Sequence, residues 1–547
     1  MIKLLFCVSD FIKDGWNISA ILISSVILVP VISILVYLFY PTSDIWSHLI
    51  ETVLYDYVTN SLILVLFVAL GTAIIGVSTA WIVTMFEFPL RSYFEWFLVL
   101  PLAIPSYALS YVYTELFGLG GIAYINFKLF LGISGFSINF YSLPGAIFVF
   151  TFSLFPYVYL LSKIAFVSQS TAFYEVARLS GSNSWNIFTK IAIPLSRPAI
   201  VGGIVLVSME TLADYGVVDY LGINTFTKGI FRTWFNLGDH YSAAKLASML
   251  LLTVAVIITL ERIARGGSKY TNLIRGHKAH TKIILNGFKS ALAIFLCSIP
   301  VVLGFIIPFY LLSIFSVKSL HYWSLIDFIE LTFSSFSLAL SASLVATICA
   351  ILIVYAMRLN SKLITPFARL ASLGYSIPGA VAAVGILFPL VWIDNFIDNT
   401  FIKLFNISTG LLLTGTWVAL LFAYLVRFLA LAIQSVENAL IKIPYSIDYA
   451  ARTLGYGRRK ILTNVHVRLI WSGISVGFII IFVDVLKELP ATMILRPFGL
   501  STLAIRAHEL ASDERLIDAS LPLITIILVC LVPITIMAKN FKITRGS

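Results

Sequence analysis

Long stretches without a charged residue are the feature that most constrains this chain. About 20 consecutive apolar residues span the roughly 30 Å hydrocarbon core of a membrane, and in lipid such stretches must be helical because every backbone polar group has to pair. Nine stretches qualify outright: 18–39, 57–86, 96–114, 141–162, 290–317, 331–357, 370–393, 404–426 and 519–538. Three more qualify if an acid or a base is tolerated: 198–220, 243–260 and 469–489. The sequence therefore predicts an all-α polytopic membrane protein with about twelve transmembrane helices.

The charged residues that remain are unevenly distributed. They make up 12% of the 547 residues, about half the fraction in soluble domains, which excludes a soluble enzyme. Lys and Arg collect in alternate loops, whereas residues 41–60 carry three acids and no base. Because short cytoplasmic loops are rich in Lys and Arg, we expect both termini in the cytoplasm. The net charge of +11 then reflects membrane topology, and we expect lipid contacts and no nucleic-acid partner.

The chain also carries an internal repeat. Identical residues recur 274 positions apart without a gap, among them Arg178 and Arg452, Gly181 and Gly455, and Gly203 and Gly477. One position out of this register, Ile104-Pro105-Ser106 resembles Ile377-Pro378-Gly379. We predict two pseudo-symmetric six-helix halves, 1–262 and 290–547, joined by a basic cytoplasmic linker at 263–289. Parallel halves favour a pathway along their interface.

One cytoplasmic loop is repeated most clearly, at 174–197 and 448–471. Each copy predicts a short helix with small residues on one face, then a glycine that permits a close approach or a positive φ. An amphipathic segment follows and leads into the next span. A helix of this kind suits insertion into a groove of a partner protein.

These loops resemble the E-A-A-x3-G-x9-I-x-L-P signature of ABC importer permeases, with Val176, Ile193, Tyr449 and Arg468 as departures. The resemblance implies that two ATP-binding cassette subunits dock on these loops and that a periplasmic protein delivers the substrate. The docking residues it implies are Glu175, Ala177, Gly181, Ile191 and Pro194 in the first copy, and Ala450, Ala451 and Gly455 in the second.

The fusion of two halves, with segments 212–216, 487–492 and 509–515, resembles the ferric-iron permease branch. This resemblance implies alternating-access transport of ferric iron into the cytoplasm across a bacterial inner membrane. Thiamine or another small solute is the alternative cargo, and a proton-coupled secondary transporter is the alternative class. The sequence has no G-x-x-x-x-G-K-[ST] loop to cradle nucleotide phosphates. We therefore expect ATP and Mg on separate subunits, no cofactor in this chain and no enzyme activity of the chain alone.

Two acids interrupt the fifth apolar stretch of each half: Glu210 and Asp214 in the first, and Asp484 and Glu488 in the second. They match at the repeat offset, and a spacing of four places each pair on one face of a helix. A charge near the bilayer centre costs about 2.5–3.5 kcal/mol, and carboxylates are hard oxygen ligands. One hypothesis is that these acids line the pathway and guide Fe3+. The other is that they serve helix packing, with Glu488 paired to its neighbour Lys487.

Charged pairs also recur in the predicted outer loops: Arg232 with Asp239, and Arg506 with Asp513. They fit either internal salt bridges or contacts with the binding protein. Tyr107, Tyr111 and Tyr113 are candidate oxygen donors or interfacial anchors. The histidines are isolated in sequence, so they predict no firm metal site.

Overall fold

The computed structural model describes residues 15–41, 43–118, 121, 125, 139–169, 171–265 and 282–543. These residues are almost entirely helical, as predicted. The α-helices are Gly15–Tyr37, Asp44–Thr52, Leu54–Met85, Arg91–Phe97, Ser106–Phe117, Leu143–Ser168, Thr171–Leu179, Ser184–Ile187, Ile193–Ala213, Gly216–Tyr220, Phe226–Phe231, His240–Arg265, Phe288–Val301, Ile307–Ser319, Leu325–Leu359, Ser361–Ala371, Gly379–Phe405, Trp417–Leu440, Tyr445–Thr453, Arg458–Lys460, Val467–Leu469, Trp471–Leu486, Pro490–Leu495, Leu503–Ser512 and Leu516–Ile543.

Shorter elements connect these helices. Two are 3₁₀ turns, Leu100–Ala103 and Ser372–Ser376. Four are π-helical turns: Phe188–Ala192, Arg232–Asn236, Val302–Ile306 and Ile461–His466. The two short strands Phe86–Glu87 and Ile283–Ile284 pair in parallel.

The number of membrane spans agrees with the prediction. In the described part of the chain, 10 helices are long and apolar enough to cross a membrane, and two bent pairs raise the number to 12. Arg91–Ala103 and Ser106–Phe117 meet at 90°, and Arg458–Leu469 and Trp471–Leu486 meet at 76°. The predicted straight spans 96–114 and 469–489 are thus parts of bent segments.

Two predicted span boundaries are wrong. We predicted spans at 370–393 and 404–426, but the helices run over Gly379–Phe405 and Trp417–Leu440. The first helix continues through Asp394, whose buried carboxylate accepts hydrogen bonds from the backbone N–H groups of residues 412–414. The second contains Arg427, which pairs with Glu488. Charges that looked like span ends are neutralised inside the fold, so they do not end the helices.

The described residues form two compact units. Unit 1 consists of the described parts of Met1–Trp46, Ile230–Leu251 and Ser324–Arg506. In it, the first spanning helix, Gly15–Tyr37, packs against Leu325–Leu359 and Gly379–Phe405. Gly385 permits this close approach, because a Cβ at that position would lie 2.6 Å from the carbonyl oxygen of Pro30. Helix Gly15–Tyr37, from the predicted first half, therefore packs against helices of the second half.

Unit 2 consists of the described parts of Ser47–Gly229, Leu252–Trp323 and Ala507–Ser547. Leu54–Met85 packs along Leu143–Ser168, and Ile307–Ser319 packs along Leu516–Ile543. Unit 1 holds most of the predicted second half and also contains Gly15–Tyr37 of the first half. Unit 2 holds most of the predicted first half and also contains Phe288–Ser319 of the second half. The halves 1–262 and 290–547 remain a prediction, and the compact units cross their boundary. Most of the predicted linker, residues 266–281, and both chain ends lie outside the described residues.

The backbone repeats where the sequence does. Ile104 and Ile377 both end a 3₁₀ turn in extended conformation. The following residues, Pro105 and Pro378, have nearly the same dihedral angles, with φ of −58° and −55°, and each caps the start of a helix. The short motif found in the sequence therefore encodes the same turn-and-helix geometry twice.

Candidate functional site

The two predicted docking loops each contain the expected short helix. We call Thr171–Leu179 the first docking helix and Tyr445–Thr453 the second docking helix. Gly181 and Gly455 both have a φ of +79°, a conformation that side-chain-bearing residues adopt at a cost. Within the described part of the chain, apart from adjacent residues, no atom lies within 4 Å of a Cβ built on either glycine, so these glycines serve backbone conformation rather than close approach.

The hydrogen bonds that end the docking helices are also repeated. The N–H of Ser182 donates to the carbonyl of Ala177, and the N–H of Tyr456 donates to that of Ala451, both at 3.0 Å. A bond of this span around a left-handed glycine is the Schellman ending of a helix. The sequence signal therefore marks a shared local structure in both halves.

The exposed faces of the docking helices differ from the small-residue face that we expected. Ala177 and Ala451 are buried within their own units, whereas Glu175, Gly181, Ala450 and Gly455 are exposed. Large apolar side chains lie near both helix ends: Leu179 is 89% exposed and Leu454 is 77% exposed. The positions that are most exposed at both helix ends are therefore large and apolar rather than small.

Each docking loop continues into the fifth span through a π-helical turn. In the first copy this is Phe188–Ala192, which contains the half-buried Ile191 and precedes the exposed Pro194. In the second copy it is Ile461–His466. Because a π turn inserts an extra residue into a helix, it shifts the faces of the segments before and after it. In the first copy the turn leads directly into helix Ile193–Ala213, whereas in the second copy the chain bends by 76° before helix Trp471–Leu486.

The predicted arrangement of the four acids on helix faces is wrong. Helix Ile193–Ala213 ends just before Asp214, and helix Trp471–Leu486 ends before Glu488. Glu210 and Asp484 lie in the last helical turns and are partly exposed. The members of each pair are therefore separated by a helix end and do not share one helical face.

Asp214 and Glu488 cap equivalent short helices. An Asp214 carboxylate oxygen accepts a 2.8 Å hydrogen bond from the N–H of Val217. Glu488 accepts from the N–H groups of Ala491 and Thr492 at 2.9 and 3.0 Å. Carboxylates that bond to the first N–H groups of a helix stabilise its start. These two positions therefore have a structural role in both halves.

Glu488 and Asp484 also pair with bases. The Glu488 side chain is 1% exposed and lies 2.9 Å from Nη1 of Arg427. Asp484 lies 2.8 Å from Nζ of Lys487. Glu488 and Lys487, which the sequence suggested as a pair, thus each have another charged partner. Sequence reasoning missed Arg427, since it lies 61 positions away in another helix.

The outer charged pairs are arranged differently in the two halves. Asp239 is buried and accepts hydrogen bonds from the hydroxyl groups of Ser43 and Ser242, both at 2.5 Å. Burial alone would raise the pKa of Asp239, but the hydrogen bonds to its carboxylate lower the pKa by more. The pKa of Asp239 therefore lies below the usual range. Arg232 and Asp513 are exposed, and Arg506 is half-buried. The backbone N–H groups of Tyr241 and Ser242 also donate to Asp239, so Asp239 caps the helix that follows it.

A buried polar cluster in unit 2 was missed by sequence reasoning. The hydroxyl of Tyr111 lies 2.6 Å from Nδ1 of His508, and Nε2 of His508 lies 3.4 Å from the Asp219 carboxylate. Asp219 also lies 3.8 Å from Nζ of Lys228. The histidine that looked isolated therefore has partners, which lie almost 300 and 400 positions away. The only sequence signal was Tyr111 itself, one of the predicted oxygen donors.

The other two candidate tyrosines are buried as well. Tyr107 packs against Tyr111, with ring centroids 5.8 Å apart. Tyr113 donates a 2.5 Å hydrogen bond to the carbonyl of Leu303. Among the described residues, no group of three or more His, Cys, Asp or Glu side chains is placed to hold a metal ion.

A second missed cluster lies at the root of the second docking helix. The guanidinium of Arg358 donates to both oxygens of Asp448, at 2.8 and 3.1 Å. Nε2 of His466 lies 2.7 Å from the same carboxylate. Burial alone would raise the pKa of Asp448, but the hydrogen bonds from Arg358 and His466 lower the pKa by more. The pKa of Asp448 therefore lies below the usual range. Asp448 is therefore an ionised group inside the protein.

Comparison with known proteins identifies the family. Residues 72–266 and 342–542 each match the binding-protein-dependent transport system inner membrane component, and the chain belongs to this family. The two matches bear out the prediction of a fused, two-half permease of a binding-protein-dependent ABC importer. The chain is therefore a multi-pass inner membrane protein.

The chain is also similar to individual permeases, at sequence identities below 30%. The chain is 23% identical over 494 residues to the Fe(3+)-transport system permease protein FbpB 2 of Haemophilus influenzae, covering 88% of this chain and 90% of that protein. It is 28% identical over 194 residues to the sulfate transport system permease protein CysW of Escherichia coli K12, covering 34% of this chain and 64% of that protein. It is 27% identical over 201 residues to the molybdenum transport system permease protein ModB of Escherichia coli K12, covering 35% of this chain and 86% of that protein.

Proposed function

We propose that this permease carries ferric iron from the periplasm to the cytoplasm, driven by two ATP-binding subunits and supplied by a periplasmic binding protein. The duplicated docking segment carries the proposal, because both copies have the same glycine conformation and the same closing hydrogen bond. Two equivalent segments suit two ATPase subunits, one on each. ATP and Mg belong to those subunits, and both termini of this chain lie on their cytoplasmic side.

The transport cycle we propose is alternating access. Closure of the two ATPases around ATP moves the docking helices, and the π turns pass that movement to the fifth spans. Packed helices move as rigid bodies about their contacts rather than deforming continuously. Movement of the docking helices therefore opens the pathway to one side of the membrane and closes it to the other.

Two observations support ferric iron as the cargo. The relative named for Fe(3+) transport matches 88% of the chain, whereas the sulfate and molybdenum permeases match 34% and 35%. Glu210 and Asp484, which are partly exposed near the ends of the two fifth spans, carry hard carboxylate oxygens of the kind that bind cations. Thiamine is the second candidate, and the transport assay below separates the two.

Reconstitution tests the proposed function directly. The permease, its ATP-binding subunits and its binding protein are placed in proteoliposomes, and uptake of radioactive iron, thiamine, sulfate and molybdate is measured. We expect iron uptake that requires ATP, stops when the P-loop lysine of the ATPase is replaced by alanine, and survives an uncoupler. Uptake that collapses with the uncoupler and ignores ATP would instead identify a proton-coupled transporter.

The acids that remain candidates for the pathway are Glu210 and Asp484, at equivalent positions of the two halves. We expect Glu210→Gln with Asp484→Asn to lower iron uptake about tenfold, which corresponds to the loss of about 1.4 kcal/mol of cation stabilisation. The control variant Glu210→Asp with Asp484→Glu keeps both charges and should retain most uptake. Wild-type uptake in the neutral variant, with normal amounts of assembled complex, would exclude a pathway role.

On the outer side, we propose that Arg232, Arg506 and Asp513 contact the binding protein. Charges at the rim of an interface mainly affect the rate of association and its salt dependence. Their contribution is therefore to the capture of the loaded binding protein rather than to the passage of the ion.

A further inference from the structure

A buried cluster at the second docking helix joins the ion pair of Arg358 and Asp448 to the ring of His466. The side chains of Arg358, Asp448 and His466 are 5%, 7% and 0% exposed. Buried charges are costly unless they are paired and fully hydrogen-bonded, and this arrangement meets that condition for the Asp448 carboxylate. Burying these groups costs desolvation free energy, and the geometry of the cluster shows which elements they hold together.

The guanidinium of Arg358 joins several elements at one point. Arg358 belongs to helix Leu325–Leu359, and besides Asp448 it donates to the carbonyls of Leu440 and Ile443 at 2.9 and 3.1 Å. Those carbonyls lie at the C-terminal end of helix Trp417–Leu440, where unpaired carbonyls and the helix dipole favour a cation. One side chain therefore ties two spanning helices to the second docking helix.

His466 adds a fourth element. It is the last residue of the π turn that leads to the fifth span, and it bonds to the Asp448 oxygen that also faces Arg358. Bidentate and charge-assisted hydrogen bonds are short and directional. In a low-dielectric surrounding they also reinforce one another. A displacement of Asp448 is therefore passed to both bases and to the helices that carry them.

The first docking helix is held by a different chemistry. At the repeat offset of 274, Asp448 corresponds to Tyr174 and His466 corresponds to Ala192. The Tyr174 hydroxyl donates to the side-chain oxygen of Gln169, and the Gln169 amide donates to the Ser196 hydroxyl at 2.7 Å. Gln169 and Ser196 correspond to Ile443 and Ile470 in the second copy. The repeat thus preserves the docking helix and replaces a neutral support with a charged one.

We propose that Arg358, Asp448 and His466 are positioning residues that couple the second docking helix to the spanning helices, and that coupling depends more on this cluster than on its neutral counterpart at the first. The inference rests on the proposed function, because it assigns the cluster to ATP-driven transport. The physical reason is bond strength, because neutral hydrogen bonds are roughly half as strong as charge-assisted ones. The charged cluster therefore holds its docking helix to the spanning helices more firmly than the neutral one does.

The test compares matched substitutions at one repeat position, Asp448→Asn and Tyr174→Phe, in the complete reconstituted complex. Three quantities are measured: the amount of permease that copurifies with its ATPases, the ATP hydrolysis rate, and iron transported per ATP. We expect Asp448→Asn to lower transport per ATP at least tenfold while hydrolysis continues. Tyr174→Phe should change that ratio less than twofold.

A second variant keeps the test decisive if Asp448→Asn fails to assemble. Arg358→Lys keeps the positive charge but loses the bidentate geometry and the bonds to the helix-end carbonyls. It should assemble normally and lower transport per ATP about three- to tenfold. Normal transport per ATP in Arg358→Lys, or an equal loss in Tyr174→Phe and Asp448→Asn, would overturn the inference. Failure of the proposed function is distinct, because the wild-type complex would then show no ATP-dependent uptake.

Discussion

Replacing Leu179 and Leu454 together with aspartate is expected to lower ATP-dependent uptake at least about 100-fold. Both side chains are largely exposed at the ends of the docking helices, at 89% and 77%. The hot-spot residues of a protein interface contribute about 2 kcal/mol or more each, and about 1.4 kcal/mol corresponds to a factor of ten. Aspartate removes the apolar contact and adds a charge that the interface would have to desolvate.

This effect should appear as lost assembly rather than lost folding. Exposed positions away from packed features change stability by only about 0.5 kcal/mol, so the purified double variant should keep the thermal midpoint of the wild-type permease. Copurification of the ATPase subunits should disappear. The double variant Leu179→Met with Leu454→Met preserves apolar contact and is expected to assemble and transport normally. Undiminished copurification of the aspartate variant would show that ATPases dock elsewhere.

The fold was largely predictable because the signals that define it are local. Runs of uncharged residues identify membrane spans, and the repeat offset identifies the docking loops. The prediction of one span at 96–114 missed the bend because it counted only uncharged length, although Pro101 and Pro105 are residues that interrupt a helix. The boundaries around Asp394 failed for a different reason. Its charge looked like the end of a span, but three backbone N–H groups neutralise it inside the fold.

The site was predictable only where both halves share it. Gly181 and Gly455 recur because both docking helices need the same left-handed ending. Arg358, Asp448 and His466 lie in three segments, and the residues at the repeat offset in the first half are neutral, so neither spacing nor repetition groups them. The same holds for Tyr111, Asp219 and His508. A useful signal was present in the mismatches: a charged residue in one copy opposite a neutral residue in the other marks a place where the halves differ in chemistry.

The largest expected loss of stability comes from Glu488→Ala. This substitution removes the partner of Arg427 and leaves two helix N–H groups and the hydroxyl of Thr492 without the carboxylate. Breaking a buried ion pair by removing one member costs about 3–5 kcal/mol. The equivalent substitution in the first half, Asp214→Ala, removes a half-buried cap and should cost only about 1 kcal/mol. Equilibrium unfolding of the purified permease in mixed micelles measures both losses.

A double variant identifies the cause of that loss. If an uncompensated guanidinium is responsible, Glu488→Ala combined with Arg427→Ala should cost less than the sum of the two single substitutions, because no buried charge is then left alone. Strict additivity would mean that the helix cap, and not the ion pair, carries the stability. Equal losses for Glu488→Ala and Asp214→Ala would mean that the two halves rely on this position alike, and that burial of Glu488 beside Arg427 adds nothing.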